Sequence, residues 1–379
     1  MKILFAGGGT GGHIFPIIAV YREIKRIYPL EDLQFFYLGP KDPLSSILLS
    51  QEGIKIKTIM AGKIRRYWNR KSVFQNFTDI FFKIPFGILQ SFFYIFFLGP
   101  DLIFSKGGYG SIPTVLSGWL LRVPIFLHES DIIPGAANRF LSRFSLEIFI
   151  SFPVKKTEYF PIQKMISVGN PIRREILEGS EEKAKSFLGL TGEKPLILIL
   201  GGSQGAQRIN DMILAILPQM LEKFEIIHQI GEKNFEEVIK EARVVVNKNL
   251  ERYYHPFPFL REEKLKHVYR AASFIIARAG AGSIFEISAL GKPSILIPLP
   301  EAAQNHQTRN AYAFAEVGAC EVMEEASISP RFFLERLEFL FSHPEDLERM
   351  ALAAKEFSKP KAAQVIARYI MNYLNPGVF

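Results

Sequence analysis

The chain is poor in the features that give a protein an easy identity. A single cysteine, Cys320, excludes an internal disulfide framework and fits a reducing compartment. No Asp-x-Asp motif occurs, and no His/Cys cluster has metal-ligand spacing, so no resident metal or other cofactor is expected. Low-complexity segments are missing too, and 48% hydrophobic with 22% charged residues exclude disorder. The opening MKILFAGGG carries one lysine and a short apolar run that ends in glycines, which reads as a first strand rather than a secretory signal. The most apolar stretch, residues 77–98, is interrupted by Asp79, Lys83 and Pro85. The clean part, Ile84–Leu98, is shorter than the roughly 20 residues that hydrocarbon requires, so no transmembrane span is expected.

At 379 residues the chain is long enough for two domains. Short apolar runs alternate with helical segments, the pattern of an α/β protein with parallel sheets. Strands are predicted at 2–6, 33–38, 54–59, 102–105, 124–129 and 147–151, with a helix from about His13 to Tyr28 after the first. SVGNPIRRE at 167–175 is punctuated by Gly, Asn and Pro and is the candidate interdomain link. The architecture then restarts: PLILIL at 195–200 is an apolar strand followed by a second glycine loop and helix, and FEIIHQ, SFIIA and SILIP continue the second sheet. The expected domains are 1–168 and 169–360, with a helix from about 361 able to pack back on either.

Three glycine loops stand out, GGGTGGH (7–13), GGYGS (107–111) and GGSQGA (201–206). At the carboxyl end of a parallel strand, glycines let the backbone approach a phosphate, and the next helix offers unpaired N–H groups and its positive dipole end. Gly7-x-Gly9-x-x-Gly12 also matches the dinucleotide fingerprint. That site needs an acid at the end of the second strand, but the second strand of each half runs into Gly39-Pro40 or Ile230-Gly231. A nicotinamide enzyme is therefore disfavoured.

GGGTGGHIFP (7–16), GGYGSIP (107–113), HES with PGAANR (128–139), GNPIR (169–173), GGSQGAQRIN (201–210), RAGAGSIFE (278–286) and HQTRNA (306–311) form an ordered set over nearly the whole chain. The set resembles the MurG family, the N-acetylglucosaminyltransferases that convert lipid I to lipid II in peptidoglycan synthesis. The resemblance implies a GT-B fold, two Rossmann-like α/β domains facing across a cleft, with lipid acceptor on the N-terminal domain and UDP-GlcNAc on the C-terminal one. It implies inverting transfer of N-acetylglucosamine to the C4 hydroxyl of the muramoyl-pentapeptide on undecaprenyl diphosphate. The alternative is another GT-B transferase that uses a UDP-sugar on a lipid acceptor.

Thr10, Gly11 and Gly12 match the family loop that contacts phosphate or sugar, and Gly107, Gly108 and Tyr109 the acceptor loop. His13, at a helix start, is disfavoured as imidazolium and is a candidate general base. Asp131 stands where the family has an amide (HES-Asp in place of His-Glu-Gln-Asn), so it is either a second candidate base or an orienter of His13. Glu129 is the family glutamate and is counted with His13 and Asp131 as a catalytic candidate, against the reading of a structural hydrogen-bond acceptor, and Asn138 is carried over as a binding residue. For the donor, Ser203 and Gln204 sit at the diphosphate loop, although Ser203 reads equally as an N-cap. Arg173 matches the family arginine, and Arg278 is a further cation for the leaving UDP. Leu260 offers backbone groups to uracil, and Gln307 and Asn310 match the positions that grip the sugar hydroxyls. Ser283 and Glu286 have capping-box spacing, against the family reading of Glu286 as acceptor for the ribose hydroxyls.

The net charge of +8 favours anionic partners. Residues 63–74 alternate basic with aromatic residues but hold no nucleic-acid motif, so nucleic acid is not expected. Lys63, Arg65, Arg66, Arg70 and Lys71 precede the aromatic stretch and suggest an anionic membrane surface, one helix face on the sheet and the other in lipid, and the resemblance implies a membrane-facing patch in this part of the domain, near Trp119. The expected location is the cytoplasmic face of the cell membrane.

Overall fold

The computed structural model describes residues 1–8, 11–28, 32–63, 65, 70–153, 158–202 and 205–376, the side chains of Leu44 and Lys71 excepted. The chain divides into two compact units, Met1–Arg173 with Pro360–Phe379, and Arg174–Lys359. The first boundary falls after Arg173, five residues beyond the expected one, and the last helix belongs to the first unit.

Unit 1 holds strands β1 (Lys2–Ala6), β2 (Gln34–Gly39), β3 (Lys55–Thr58), β4 (Leu102–Ser105), β5 (Ile125–Glu129), β6 (Glu147–Ile150) and β7 (Met165–Ser167). They form one parallel sheet in the order β3-β2-β1-β4-β5-β6-β7. The central strands are covered on both faces, which is why they read as apolar runs instead of alternating patterns. On one face the helix Gly11–Ile27 inserts Ile14, Ile17 and Ile24, and the helix Ala362–Leu374 adds Ile366 and Ile370 to the same core. β7 ends at Ser167, where the expected link begins, and is too short and too exposed to show itself as a strand.

Unit 2 repeats the plan with β8 (Leu196–Leu200), β9 (Glu225–Gln229), β10 (Tyr254–Phe257), β11 (Phe274–Ala277), β12 (Ser294–Leu296) and β13 (Glu321–Val322), ordered β10-β9-β8-β11-β12-β13 and again parallel. In both sheets the first strand of the unit has neighbours running out to opposite sides, β2 and β4 around β1, β9 and β11 around β8. At such a reversal the loops from the carboxyl ends diverge and leave a crevice, the usual ligand position in open α/β sheets. The register aligns Ala6 with Ser105 and Leu200 with Ala277. Each glycine loop thus emerges beside the loop from the neighbouring strand.

The apolar stretch is one helical run, Arg70–Leu98, with a π-turn at Asp79–Lys83. Asp79 is buried there, paired with Lys83 Nζ at 2.6 Å and Arg65 Nη1 at 2.8 Å. Burial pushes its carboxyl up, but those hydrogen bonds outweigh it and hold the group below the usual range. By length and composition Ser72–Leu98, 27 residues containing an 18-residue window of mean hydropathy 1.7, is long enough to cross a bilayer, longer than the segment counted from sequence. Its connections give it another role. It runs between β3 and β4, parallel strands of one sheet, and so is their crossover helix. Gly87, Ser91 and Ile95 face inward; a Cβ at Gly87 would stand 1.9 Å from Met60 O, and Ser117 Oγ donates to Ile88 O at 2.9 Å. The inward face therefore packs on residues 59–62 and the helix Ile112–Leu120, with Ile95 in the core under the sheet and Leu98 packed against it. The outward face exposes Phe74, Phe81 and Phe97 to 68%, 62% and 80%, and Trp119 is half exposed nearby.

Candidate active site

The site in unit 1 begins with two loops in backbone contact. Tyr37, buried on β2, donates its phenol to Gly7 O at 3.0 Å and fixes the first loop. A Cβ at Gly8 would lie 3.0 Å from Gly110 Cα, so the close approach requires glycine. Gly107 and Gly108 both have φ of +79°, and a Cβ at Gly107 would fall 1.7 Å from Asn138 Oδ1. His13 rises in the first turn of the helix after the first loop, and a Cβ on Gly108 would lie 2.9 Å from its Nε2.

β5 and the residues after it supply the polar groups. Glu129 is buried, and its carboxylate accepts from Asp131 N (2.9 Å), Gly135 N (3.2 Å) and Asn138 Nδ2 (2.8 Å). Asn138 Oδ1 accepts from Gly108 N at 3.2 Å, which ties the turn after β5 to the glycine loop after β4. Ser130 Oγ donates to Asn170 Oδ1 at 2.7 Å, and Lys106 Nζ donates to Ser130 Oγ at 2.5 Å. His128 is fully buried behind this layer, its Nε2 within 3.3 Å of Ser151 Oγ.

The electrostatics converge on Lys106, which is buried. Burial pulls its ammonium below the ordinary lysine range, while Glu129 and Asp131 pull it back up. Burial first, then the Lys106 charge, lowers His13 to about 3, so the imidazole is neutral throughout the physiological range. Burial and the neighbouring Asp131 raise Glu129 to about 7 against the opposing pull of Lys106, the Asp131 N–H and Asn138.

In unit 2, Gln229 at the end of β9 joins two predicted segments. Its Nε2 donates to Gly202 O at 3.4 Å, and its Oε1 accepts from Leu260 N at 2.9 Å. Gly205 has φ +78°, and a Cβ there would lie 2.7 Å from Ile230 O, so the loop is closely seated before the helix Gln207–Lys223. Glu286 accepts from Tyr269 OH at 2.9 Å.

The other predicted residues have the following places and partners. No capping box forms: the helix Ala281–Leu290 has Gly280 as N-cap with no side-chain cap, and Ser283 sits inside its first turn. Arg278 is not an open cation, because Nη1 binds Glu325 at 2.6 Å and the carbonyls of Ile297 and Pro298. Arg173 was placed with the donor domain but belongs to unit 1, stacked 4.1 Å over Phe15, two residues from His13. Leu260 donates its N–H to Gln229 Oε1, which leaves its carbonyl as the backbone group for the expected role. Asn310 is fully buried with its amide 3.5 Å from Ala279 O, and Gln307 Oε1 accepts from Leu299 N at 3.0 Å. Of the basic cluster, Arg65 is neutralised by Asp79, and Lys63 and Arg70 are exposed. Thr10, Ser203, Gln204, Arg66 and the Lys71 side chain lie outside the described residues. Gly11 and Gly12 open the helix Gly11–Ile27, two residues ahead of the expected start at His13, and Tyr109 opens the 3-10 turn Tyr109–Ser111. Sequence reasoning missed Lys106, Gln229 and Tyr269. Lys106 left one signal, a lysine directly before the second glycine pair.

Comparison with known proteins agrees with this layout. The glycosyltransferase family 28 N-terminal domain matches residues 3–150, and the family 28 C-terminal domain matches residues 196–366. The chain is 35% identical over 370 residues, 97% of its length and 99% of the relative's, to the Bacillus cereus UDP-N-acetylglucosamine--N-acetylmuramyl-(pentapeptide) pyrophosphoryl-undecaprenol N-acetylglucosamine transferase 2. It is 37% identical over 346 residues, 91% of each chain, to the Clostridium tetani transferase of the same description. The Acinetobacter baumannii MurG crystal structure superposes with a TM-score of 0.72 at 26% identity, covering 98% of this chain and 99% of that one. A Neisseria meningitidis UDP-GlcNAc 2-epimerase (TM-score 0.66, 16% identity, 98% and 100% covered) shares the fold.

Proposed function

This chain belongs to glycosyltransferase family 28, and from that premise we propose that unit 1 binds a lipid-linked acceptor while unit 2 binds a nucleotide-sugar donor. The protein is a hexosyltransferase of peptidoglycan synthesis: it moves N-acetylglucosamine from UDP-N-acetylglucosamine to the muramoyl-pentapeptide of lipid I, giving lipid II and UDP. The observation that carries this is near-full-length similarity to transferases of that description, at 35% and 37% identity.

In the reaction the acceptor C4 oxygen bonds to the anomeric carbon, the bond from that carbon to the UDP oxygen breaks, and the hydroxyl proton leaves to a base. His13 suits that role because it is neutral at working pH and rises at the acceptor loop. Its low basicity comes partly from the Lys106 ammonium, and an arriving diphosphate offsets that charge and raises it. Asp131 is the second group able to take the proton. The Glu129 carboxylate, engaged by three N–H donors, holds the loop. On the donor side the glycine loop before the helix Gln207–Lys223 receives the diphosphate, and Glu286, oriented by Tyr269, accepts from the ribose hydroxyls.

The exposed phenylalanines of the crossover helix, with Trp119, Lys63 and Arg70, seat unit 1 on the anionic cytoplasmic face of the cell membrane, where a lipid-anchored acceptor is presented. The test is UDP release by purified protein with UDP-GlcNAc and a soluble lipid I analogue, against UDP-Glc and UDP-GalNAc. Acceptor-dependent release with the GlcNAc donor alone supports the reading; tight donor binding without release overturns the acceptor assignment. His13→Ala and Asp131→Asn then assign the proton acceptor.

A further inference from the structure

Two carboxylates two residues apart, Glu129 and Asp131, meet one buried cation at the end of the neighbouring strand. Lys106 is fixed by its hydrogen bond to Ser130 Oγ, the residue between the two acids. Ser130 is itself held by Asn170, so the ammonium is tied into the turn rather than hanging free beside it. The charged and titratable groups within its electrostatic reach are Glu129, Asp131, His13 and His128. Asp131 is also where this sequence departs from the amide of the family it resembles, which adds one negative charge to the cluster.

We propose that Lys106 is a positioning residue of the acceptor site, a buried ammonium that offsets the Asp131 charge and so keeps Glu129 ionised as acceptor for the three N–H donors that shape the loop. The proposal rests on the transferase reading for its consequence but not for its geometry. A protonated Glu129 carries its own O–H and loses acceptor capacity for Asp131 N, Gly135 N and Asn138 Nδ2. Asn138 then loses its anchor, and with it the bond from Gly108 N that sets the glycine loop against His13. Lys106 touches no reacting atom in this scheme and acts through Glu129 and Asn138.

The signs are definite. Lys106 lowers Glu129 and Asp131 raises it, around a value of about 7. Lys106→Met should shift the acid limb of the kcat profile to higher pH by about one unit or more. At a pH below both limbs this is a loss of about tenfold, recovered as pH rises. Asp131→Asn should move the limb the other way, whatever it does to the plateau. Lys106→Met/Asp131→Asn, with both charges gone, should return the limb to near the wild-type position.

The experiment is a kcat–pH profile from pH 6 to 9 for the wild type, both single variants and the double variant, with UDP release as readout. A parallel infrared titration follows the protonated-carboxyl band without substrate. Opposite shifts of the singles and cancellation in the double support the proposal. Unchanged limbs and an unchanged carboxyl titration overturn it. If Lys106→Met does not fold, Lys106→Gln takes its place in the profiles and in the infrared titration, and an unmoved limb with an unmoved carboxyl titration there overturns the proposal. A wild type without acceptor-dependent turnover would sink the transferase reading, and the infrared titration would still decide the charge pairing.

Discussion

Asn138→Asp changes one atom in the tightest part of the site and keeps the volume. In the wild type Asn138 Nδ2 donates to Glu129 Oε2 at 2.8 Å. In the variant two carboxyl oxygens meet at that spacing. If both were ionised, the repulsion at an effective dielectric of 20 would reach about 6 kcal/mol. The pair avoids most of it by keeping one proton, an adjustment that is easy near neutrality because Glu129 already titrates at about 7. Glu129 has its folded pKa raised from 4.5, so the wild-type folded state holds a proton that the unfolded chain has lost. Its contribution to stability therefore declines as pH rises from 4.5 to about 7 and levels off above. In the variant the proton is retained above 7, and the decline continues at about 1.4 kcal/mol per pH unit until the repulsion limit. Thermal unfolding of both proteins from pH 6 to 9 should show a small gap at pH 6 that widens by roughly 3–6 °C per unit above 7. A gap independent of pH would refute the reasoning, because it would mean that the two side chains do not share the site.

Tyr269→Phe removes the hydroxyl that orients Glu286. UDP-GlcNAc binding, measured by titration calorimetry, should weaken by about fivefold, or ~1 kcal/mol, with kcat at saturation little changed; an unaltered Kd would separate Glu286 from the donor. Phe81→Glu with Phe97→Glu replaces two exposed rings on the crossover helix. Sedimentation with anionic vesicles should fall at least tenfold on the basis of ~1.5–3 kcal/mol per buried ring, while turnover of a soluble acceptor persists. His228, fully buried between Asn210 and Tyr254, is lowered to about 3 by burial. Its neutral form stabilises unit 2 above 6.5, and that contribution is lost as pH falls from 6.5 toward about 3. Hydrogen exchange in unit 2 should show this acid sensitivity reduced in His228→Gln.

Much of the fold was legible because buried parallel strands write themselves as unbroken apolar runs, as in LILIL, and because each restart is a strand, glycine loop and helix. The short edge strands β7, β10 and β13 were not, since their residues are largely half-buried and carry no such run. Within the site, glycines at positive φ were readable because backbone geometry demands them. Side-chain partners were not readable. Lys106 lies 24 residues from Ser130, and Asn138 lies 30 from Gly108, and only the sheet order brings these pairs together. The spacing of Ser283 and Glu286 fitted a cap, yet the helix begins at Ala281 and the carboxylate goes to a tyrosine.

The helix Ala362–Leu374 has a bearing on the order of synthesis. It supplies Ala363, Ile366, Ala367, Ile370 and Met371 to the core of unit 1, and Tyr369 bonds Glu147 at 3.0 Å. A ribosome releases residues 1–173 long before that helix, with the whole of unit 2 made in between. Part of one face of the first sheet, beside the helix Gly11–Ile27, thus waits uncovered in the nascent chain, while unit 2, contiguous in sequence, can complete itself first. The half of the protein translated first is the half finished last, and during that interval it is a natural client for a chaperone.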